Sequence, residues 1–387
     1  MIILSGPDIH TESSILKNAA LVIRENKIHS IETQKNISSD HVITFPDTYH
    51  LVPGFVDIHT HGANGFDVMD GTFSALSSIS QALAAEGTTS WLATTMTESL
   101  EDISRVLQNV GNYIEKKKNG LGANVLGIHL EGPFLSPEKV GAQNAKNILM
   151  PQVECLRVFQ KKSGNAIKLV TLAPELPNSL ELIRYLKSHN IIASIGHTNA
   201  TYAETMAAID AGCSHVTHLF NAMRGIHQRE PGAMTAALLS EKLSTELIVD
   251  GIHLHPAIVE LVLKIKDREK IILVTDAMRA KCLADGLYDL GGQSVRVKEN
   301  KATLSDGTLA GSVLKMISAV QNMMKYTNCH VQDVIRFSSE NPAKLLNVFD
   351  RKGSILPGKD ADLVVLDEAF NVVMTMVGGK VVYQKNV

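Results

Sequence analysis

Between residues 53 and 353 the chain alternates short apolar runs with stretches of helical spacing. The runs fall at 54–61, 88–95, 125–131, 167–172, 191–196, 215–219, 246–250 and 271–276. The stretches between them carry helix marks. Ala203, Met206, Ala207 and Ile209 form an apolar stripe stopped by Gly212, and Pro256 stands at the favoured first position of an apolar helix. Strands alternating in this way with helices predict an α/β fold, a (β/α)8 TIM-like barrel. A doubly wound open sheet is the alternative, but it would carry a glycine-rich phosphate turn after its first strand, and none is present.

The two ends of the chain follow another rhythm. Residues 19–31 read as two short β-branched strands joined at Glu25-Asn26-Lys27, a hairpin with no helical period. Gly353-Ser-Ile-Leu-Pro-Gly-Lys-Asp-Ala-Asp-Leu-Val-Val-Leu-Asp367 and the run from Val372 to Met376 share that character. Chain termini often lie together. Residues 1–52 and 354–387 therefore predict a small discontinuous β-sandwich domain, with 53–353 as the catalytic barrel. A length of 387 residues, beyond the usual single core, agrees with a large unit plus a small one.

A formal net charge of -3 with 20% charged residues gives no electrostatic reason to expect a nucleic-acid or membrane partner. Cys155, Cys213, Cys282 and Cys329 are widely spaced and form no Cys-x-x-Cys pair, which disfavours a disulfide framework or zinc knuckle and suits a reducing cytoplasm. The N-terminus lacks a basic segment followed by an apolar core, and no run has the length of a membrane span. The expectation is a soluble cytoplasmic protein.

Candidate chemistry gathers at the ends of the predicted strands. In a strand, residues i and i+2 point to one face, so His59 and His61 project together from the end of the first run. Glu131 ends the third run, His197 follows the fifth, His218 lies near the end of the sixth, and Asp276 ends the eighth. Each residue has an ordinary alternative: Asp276 can cap a helix, Glu131 can pair with a lysine, and the histidines can be satisfied core groups. Capping and packing give no reason for metal-competent side chains alone to collect on one rim. Strand C-termini form the barrel face on which active sites are built.

Pro53-Gly-Phe-Val-Asp-Ile-His-Thr-His-Gly62, Thr275-Asp276 and Pro357-Gly-Lys-Asp-Ala-Asp-Leu363 resemble the amidohydrolase superfamily. Further segments narrow the likeness: Gly127-Ile-His-Leu-Glu-Gly-Pro-Phe134, Thr171-Leu-Ala-Pro-Glu175, Gly196-His-Thr198, Thr217-His-Leu-Phe-Asn-Ala-Met223, Arg229-Glu-Pro-Gly232, Asp250-Gly-Ile-His253, Thr275-Asp-Ala-Met278 and Leu309-Ala-Gly-Ser312. Together they resemble the branch that hydrolyses the N-acetyl group of N-acetylglucosamine 6-phosphate, giving glucosamine 6-phosphate and acetate in amino-sugar metabolism. His-x-His is generic, whereas His-Leu-Glu-Gly-Pro followed by Asn-Ala-Met and Arg-Glu-Pro-Gly is specific.

The resemblance implies that Glu131, His197 and His218 ligate a divalent metal, with Glu131 where other members use a carboxylated lysine. It implies that His59, His61 and Asp276 complete a second site, so that one or two cations (zinc, iron, manganese or cobalt) bind each subunit. Asp276 is implied as the base, then acid, that moves a proton from the attacking water to the departing nitrogen. Arg229 and His253 are implied as phosphate-binding groups that reach a neighbour's substrate across a homodimer interface. Asn221 and Ala222 correspond to further contacts at the phosphate end, Ala142 and Gln143 to contacts from the loop after the third strand, and Leu309, Ala310 and Gly311 to a loop beside the sugar. Gln143 departs from the pattern, since many relatives have histidine there. His227 has no place in the pattern and reads as surface. A dihydroorotase-like or isoaspartyl-dipeptidase-like amidohydrolase and a nucleobase deaminase share His-x-His with Asp276. A non-catalytic barrel scaffold would be expected to lack ligands.

Overall fold

The computed structural model describes residues 1–33, 41–116 and 121–385; residues 34–40 and 386–387 of the predicted terminal β region, and 117–120 of the barrel region, lie outside the described residues. Among the described residues eight parallel strands pair in chain order: β1 (Phe55–Thr60), β2 (Thr88–Thr94), β3 (Asn124–Glu131), β4 (Ile167–Leu172), β5 (Ile192–Ile195), β6 (His215–Val216), β7 (Ser244–Leu247) and β8 (Ile271–Leu273). Helices such as Phe73–Ala84 and Leu100–Lys116 cover the outside. The predicted barrel is the observed fold, with shorter strands at its later end. β6 stops at Val216 and β8 at Leu273 because the chain turns out of strand geometry just beyond, reaching φ 29° at His218 and 49° at Asp276. β7 lies earlier than the predicted 246–250. Asp250 belongs to a turn, its carboxylate accepting from the backbone N–H groups of Ile252 (2.8 Å) and His253 (2.7 Å).

Alternation along the strands divides the interior in two. Outward-facing Val56, Ile58, Ile128 and Leu130 pack with Leu76, Ile79 and Val106 of the covering helices in one continuous apolar core. On the axial side lies a layer of hydrogen-bonded polar residues. His129 Nε2 lies 2.7 Å from Thr171 Oγ1, which lies 2.6 Å from Thr217 Oγ1, itself 2.6 Å from Ser194 Oγ. Small barrels usually fill this space with branched apolar side chains. Here a hydrogen-bonded layer fills it instead.

The barrel closes between β1 and β8 by few backbone bonds. Asp276 N donates to His59 O (2.8 Å), and His61 N and Gly62 N both donate to Ala277 O at 2.8 and 2.9 Å. Deeper in the seam Asp57, fully buried, accepts from Thr275 Oγ1 at 2.6 Å and from His59 N at 3.2 Å. Burial pushes the Asp57 carboxyl above the usual range, and the nearby buried Lys281 opposes that shift. Lys281 Nζ is itself paired with Glu86 at 2.6 Å.

Two sheets built from the chain ends share a separate core. One runs Lys27–Thr33, Ala19–Arg24, Ile2–Ser5, Val42–Thr44; the other runs Lys380–Gln384, Val372–Val377, Leu363–Leu366, His50–Pro53, Asp8–His10, Ile15–Leu16. Leu4, Leu21 and Ile23 of the first meet Leu51, Leu363 and Met374 of the second. The predicted hairpin is present, with Glu25 at φ 55° in its turn and Lys27 already in the strand. A three-stranded antiparallel sheet, Gly286–Leu290, Gln293–Lys298 and Lys301–Thr303, was not anticipated. Its turns, Gly291-Gly292 and Glu299-Asn300, all take positive φ, the signature of tight two-residue hairpins.

The seam makes a specific demand on Thr275. Thr275→Val keeps the volume and removes the hydroxyl donor from a buried carboxylate, which should lower the unfolding free energy by about 1.5–3 kcal/mol in urea titration. An unchanged midpoint would show that Asp57 does not depend on that bond.

Candidate metal centre

The alternation that sends apolar residues outward turns Asp57, His59 and His61 inward on one strand. His59 and His61 lie at its end, Glu131 at the end of β3, and His197, His218 and Asp276 just past β5, β6 and β8. The structure brings all six predicted ligands together, and none is more than 8% exposed. They sort into two triads, Glu131–His197–His218 and His59–His61–Asp276, within each of which the candidate ligand atoms lie within 4.8 Å of one another. Glu131 stands between them. Its Oε1 is 3.1 Å from His218 Nε2 and 3.3 Å from His197 Nε2, while its Oε2 is 3.3 Å from His61 Nε2. Asp276 Oδ1 lies 3.2 Å from His61 Nε2 and 3.4 Å from His59 Nε2.

Hydrogen bonds on the far side of the rings fix which nitrogen faces the cluster. His197 Nδ1 is 3.0 Å from Lys139 O, an acceptor, so Nδ1 donates away from the cluster and Nε2 is the nitrogen that faces it. His59 Nδ1 is held in the same way against Glu246 Oε2 at 2.8 Å. His218 Nε2 approaches His197 Nε2 to 3.1 Å, and His59 Nε2 is buried without a hydrogen-bond partner. Imidazole nitrogens converging on carboxylate oxygens in this way need a proton or a cation between them. The donor set fits a divalent transition metal. His59, His129 and Glu246 also cluster, but both His129 nitrogens are already engaged, with Ile58 O at 3.1 Å and Thr171 Oγ1 at 2.7 Å.

Electrostatics point the same way. Burial disfavours the imidazolium of His61, but Asp276 and Glu131 outweigh it and push the ring up to about 9. His59 is likewise raised, burial being overcome by Asp276, Glu246 and Glu131. Burial alone would lift Glu131 and Glu246; His59 and the other imidazoles around them hold both well below the usual carboxylate range. Asp276 is also lowered, His59 and His61 prevailing over burial.

Above the cluster lies a cavity of about 360 Å³. Of the residues implied to touch substrate, Ala142, Gln143, Asn221, Ala222, His253, Leu309 and Gly311 line it. Ala310 does not; it is fully buried in the apolar cluster that also contains Met96 and Leu290, two residues of the cavity wall. Arg229 does not line it either, and lies exposed on the loop preceding Gly232. His227 is exposed, as expected. His253, expected to reach a neighbour's substrate, instead faces its own chain's cavity because Asp250 Oδ2 holds its Nδ1 at 2.7 Å. Gln143, besides lining the cavity, is bonded to its floor. Its Nε2 donates to Glu131 Oε2 at 2.7 Å and its Oε1 accepts from Thr97 N at 2.7 Å.

Sequence reasoning passed over Glu246, His129, His215 and Asp57. Each lies inward and deeper than a ligand, and the signal was available: Asp57, His129 and Glu246 fall in the predicted strands, two of them at i−2 from His59 and Glu131.

Comparison with known proteins gives a consistent result. The model of the Amidohydrolase family matches residues 50–382. The chain is 47% identical over 377 residues to N-acetylglucosamine-6-phosphate deacetylase of Bacillus subtilis, covering 97% of this chain and 95% of that protein. It is 43% identical to the enzyme of the same name from Lysinibacillus sphaericus, over 87% and 86% of the two chains. The crystal structure of N-acetylglucosamine-6-phosphate deacetylase from Pasteurella multocida superposes with a TM-score of 0.93 at 32% identity, covering 98% of this chain and 99% of the other.

The raised histidines set a pH dependence. A ring at about 9 against an ordinary 6.5 stabilises the metal-free fold fully below pH 6.5, and that contribution is lost as pH rises through 9. A cation displaces the same protons. Affinity for Zn²⁺, measured by competition with a chromophoric chelator, should therefore rise across pH 6.5 to 9 with proton release on loading. A flat profile without proton release would show that these rings do not hold the cation.

Proposed function

This chain belongs to the amidohydrolase family, and from that premise we propose that it hydrolyses N-acetylglucosamine 6-phosphate to glucosamine 6-phosphate and acetate in amino-sugar metabolism. The observation that carries the reading is the pair of buried triads joined by Glu131 at the floor of a cavity whose wall includes Asn221, Ala222 and His253. An amide carbonyl is a poor electrophile and water a poor nucleophile, and bound divalent cations polarise the one and acidify the other. Glu131, His197 and His218 would hold one cation, and His59, His61 and Asp276 a second. Zinc, iron, manganese and cobalt all suit this donor set.

The chain's own residues handle the proton. Asp276 is an ionised acceptor at the cavity floor, kept so by the two imidazoles beside it. It takes the proton of the attacking water and delivers it to the departing amine nitrogen, base first and acid second. At the phosphate end His253, braced by Asp250, offers its remaining ring nitrogen to a phosphate oxygen. The Asn221 amide is tied to His218 O at 3.2 Å, so it holds the loop beside a ligand and leaves its own oxygen for substrate. Gln143 supports Glu131.

Arg229 completes the phosphate site from a second copy of the chain in a homodimer. Two features support this: its side chain forms no ion pair among the described residues, and the same loop exposes 60% of Ile226, an apolar group suited to an interface. A cytoplasmic location belongs to the same reading, supported by four unpaired cysteines; no helix among the described residues is long and apolar enough to cross a membrane.

The deciding assay is acetate release from N-acetylglucosamine 6-phosphate beside the unphosphorylated sugar. Strong preference for the phosphorylated substrate is expected. Turnover of a dihydropyrimidine, a β-aspartyl dipeptide or a nucleobase in its place would move the chain to another branch of the family. Asp276→Asn should lower kcat by about 10²–10⁴-fold while the fold and most bound metal persist; near-normal kcat would remove Asp276 from the proton path. Arg229→Ala should raise KM for the phosphorylated sugar and leave the weak reaction of the free sugar unchanged, and equal effects on both would contradict a phosphate role.

A further inference from the structure

Glu246 lies on β7 and is fully buried, with no lysine or arginine paired to it among the described residues. Its Oε2 serves two donors at once, His59 Nδ1 at 2.8 Å and the backbone N–H of His218 at 2.9 Å. Its Oε1 lies 3.0 Å from His215 Nε2. Its own carbonyl accepts from Leu219 N at 3.0 Å. One residue therefore grips the turn carrying His218 through both side chain and backbone, and it grips the ring of His59 with the same oxygen.

That oxygen touches one member of each triad. For His59 the consequence is a fixed tautomer and a fixed ring plane: Nδ1 donates outward, so the Nε2 lone pair faces Glu131 and Asp276. For His218 the consequence is a backbone held at φ 29°, a conformation non-glycine residues rarely adopt, which persists only where surrounding bonds over-determine it.

We propose that Glu246 is a positioning residue that registers the two halves of the metal centre against each other, aiming His59 through its ring and His218 through its backbone. The proposal rests on the two-cation reading above. Glu246 touches no substrate; it acts through the ligands.

The test is metal binding rather than turnover. Apo protein is titrated with Co²⁺, with affinities from chelator competition and coordination from the visible spectrum. Wild type should bind two equivalents. Glu246→Ala should weaken both by about 10- to 100-fold, the usual effect of losing the group that orients a ligand. Glu246→Gln, which keeps an oxygen for the shared position and loses the charge, should fall between the two with displaced absorption bands. In a His59→Ala background, which leaves one cation, Glu246→Ala should still weaken that cation through His218. Wild-type affinities and spectra in the Ala and Gln variants would overturn the proposal. An unweakened cation in the double variant would overturn the two-sided role. A single equivalent bound by wild type would instead sink the two-cation reading, and the registration of two halves would fall with it. Should Glu246→Ala fail to fold, the Gln variant alone decides by the same spectrum and affinities.

Discussion

A protein interior does not tolerate an uncompensated charge, and this barrel buries four carboxylates along its axis. Asp57, Glu131, Glu246 and Asp276 are each at most 8% exposed. Taking an ion out of water costs several kcal/mol even after relaxation, and only close partners offset it. Glu131, Glu246 and Asp276 are answered by imidazoles, and Asp57 by the Thr275 hydroxyl, backbone N–H groups and the field of Lys281. The histidines are thus structural groups before they are ligands. A cation that enters the cluster takes over compensation that protons otherwise provide, so loading leaves the charge balance of the core intact. This is why the centre is built as one unit: no single member can be removed without leaving another unanswered.

Such a core destabilises a fold unless polar and apolar surfaces are kept apart. Strand alternation does that here at the level of single residues. In β1, Val56 and Ile58 join the apolar core beneath the helices while Asp57 and His59 face the axis, and in β3 Ile128 and Leu130 face out while His129 and Glu131 face in. Hydrophobic stabilisation resides between strands and helices, and chemistry resides on the axis.

The same alternation explains what the sequence disclosed. The convergence of His59, His61, Glu131, His197, His218 and Asp276 was legible because they fall at or just past strand ends, where their residue types stand out. Glu246 was hidden because it opened what read as an apolar run and its strand begins earlier, at Ser244. Gln143, expected from the resemblance to touch substrate, does line the cavity, and its bonds to Glu131 and Thr97 add a role that residue type alone does not disclose. The sheet spanning 286–303 escaped because its strands are half exposed, with only Leu290, Val295, Val297 and Ala302 turned inward. Arg229 lies outside the cavity lining of its own chain, a placement that depends on how the loop before Gly232 folds and leaves no periodic mark in the sequence.

The seam between β1 and β8 joins these threads. Elsewhere in the barrel neighbouring strands are tied by parallel backbone ladders, with register shifts among β1, β2, β3 and β4. Here the chain from Thr275 to Ala277 is tied to β1 by bonds at His59, His61 and Gly62, and Asp276 O is tied in turn to Ser312 N at 2.8 Å. Asp276, the residue proposed to move the proton, is therefore positioned by the backbone of the strand that carries two candidate ligands. Any displacement of His59 displaces Asp276 in the same direction. At Asp276 the backbone leaves strand geometry, with a φ of 49°, as it does at His197 (46°) and His218 (29°) past β5 and β6. The seam bonds on either side of Asp276 keep its carboxylate in register with the imidazoles it faces even though it has left the strand.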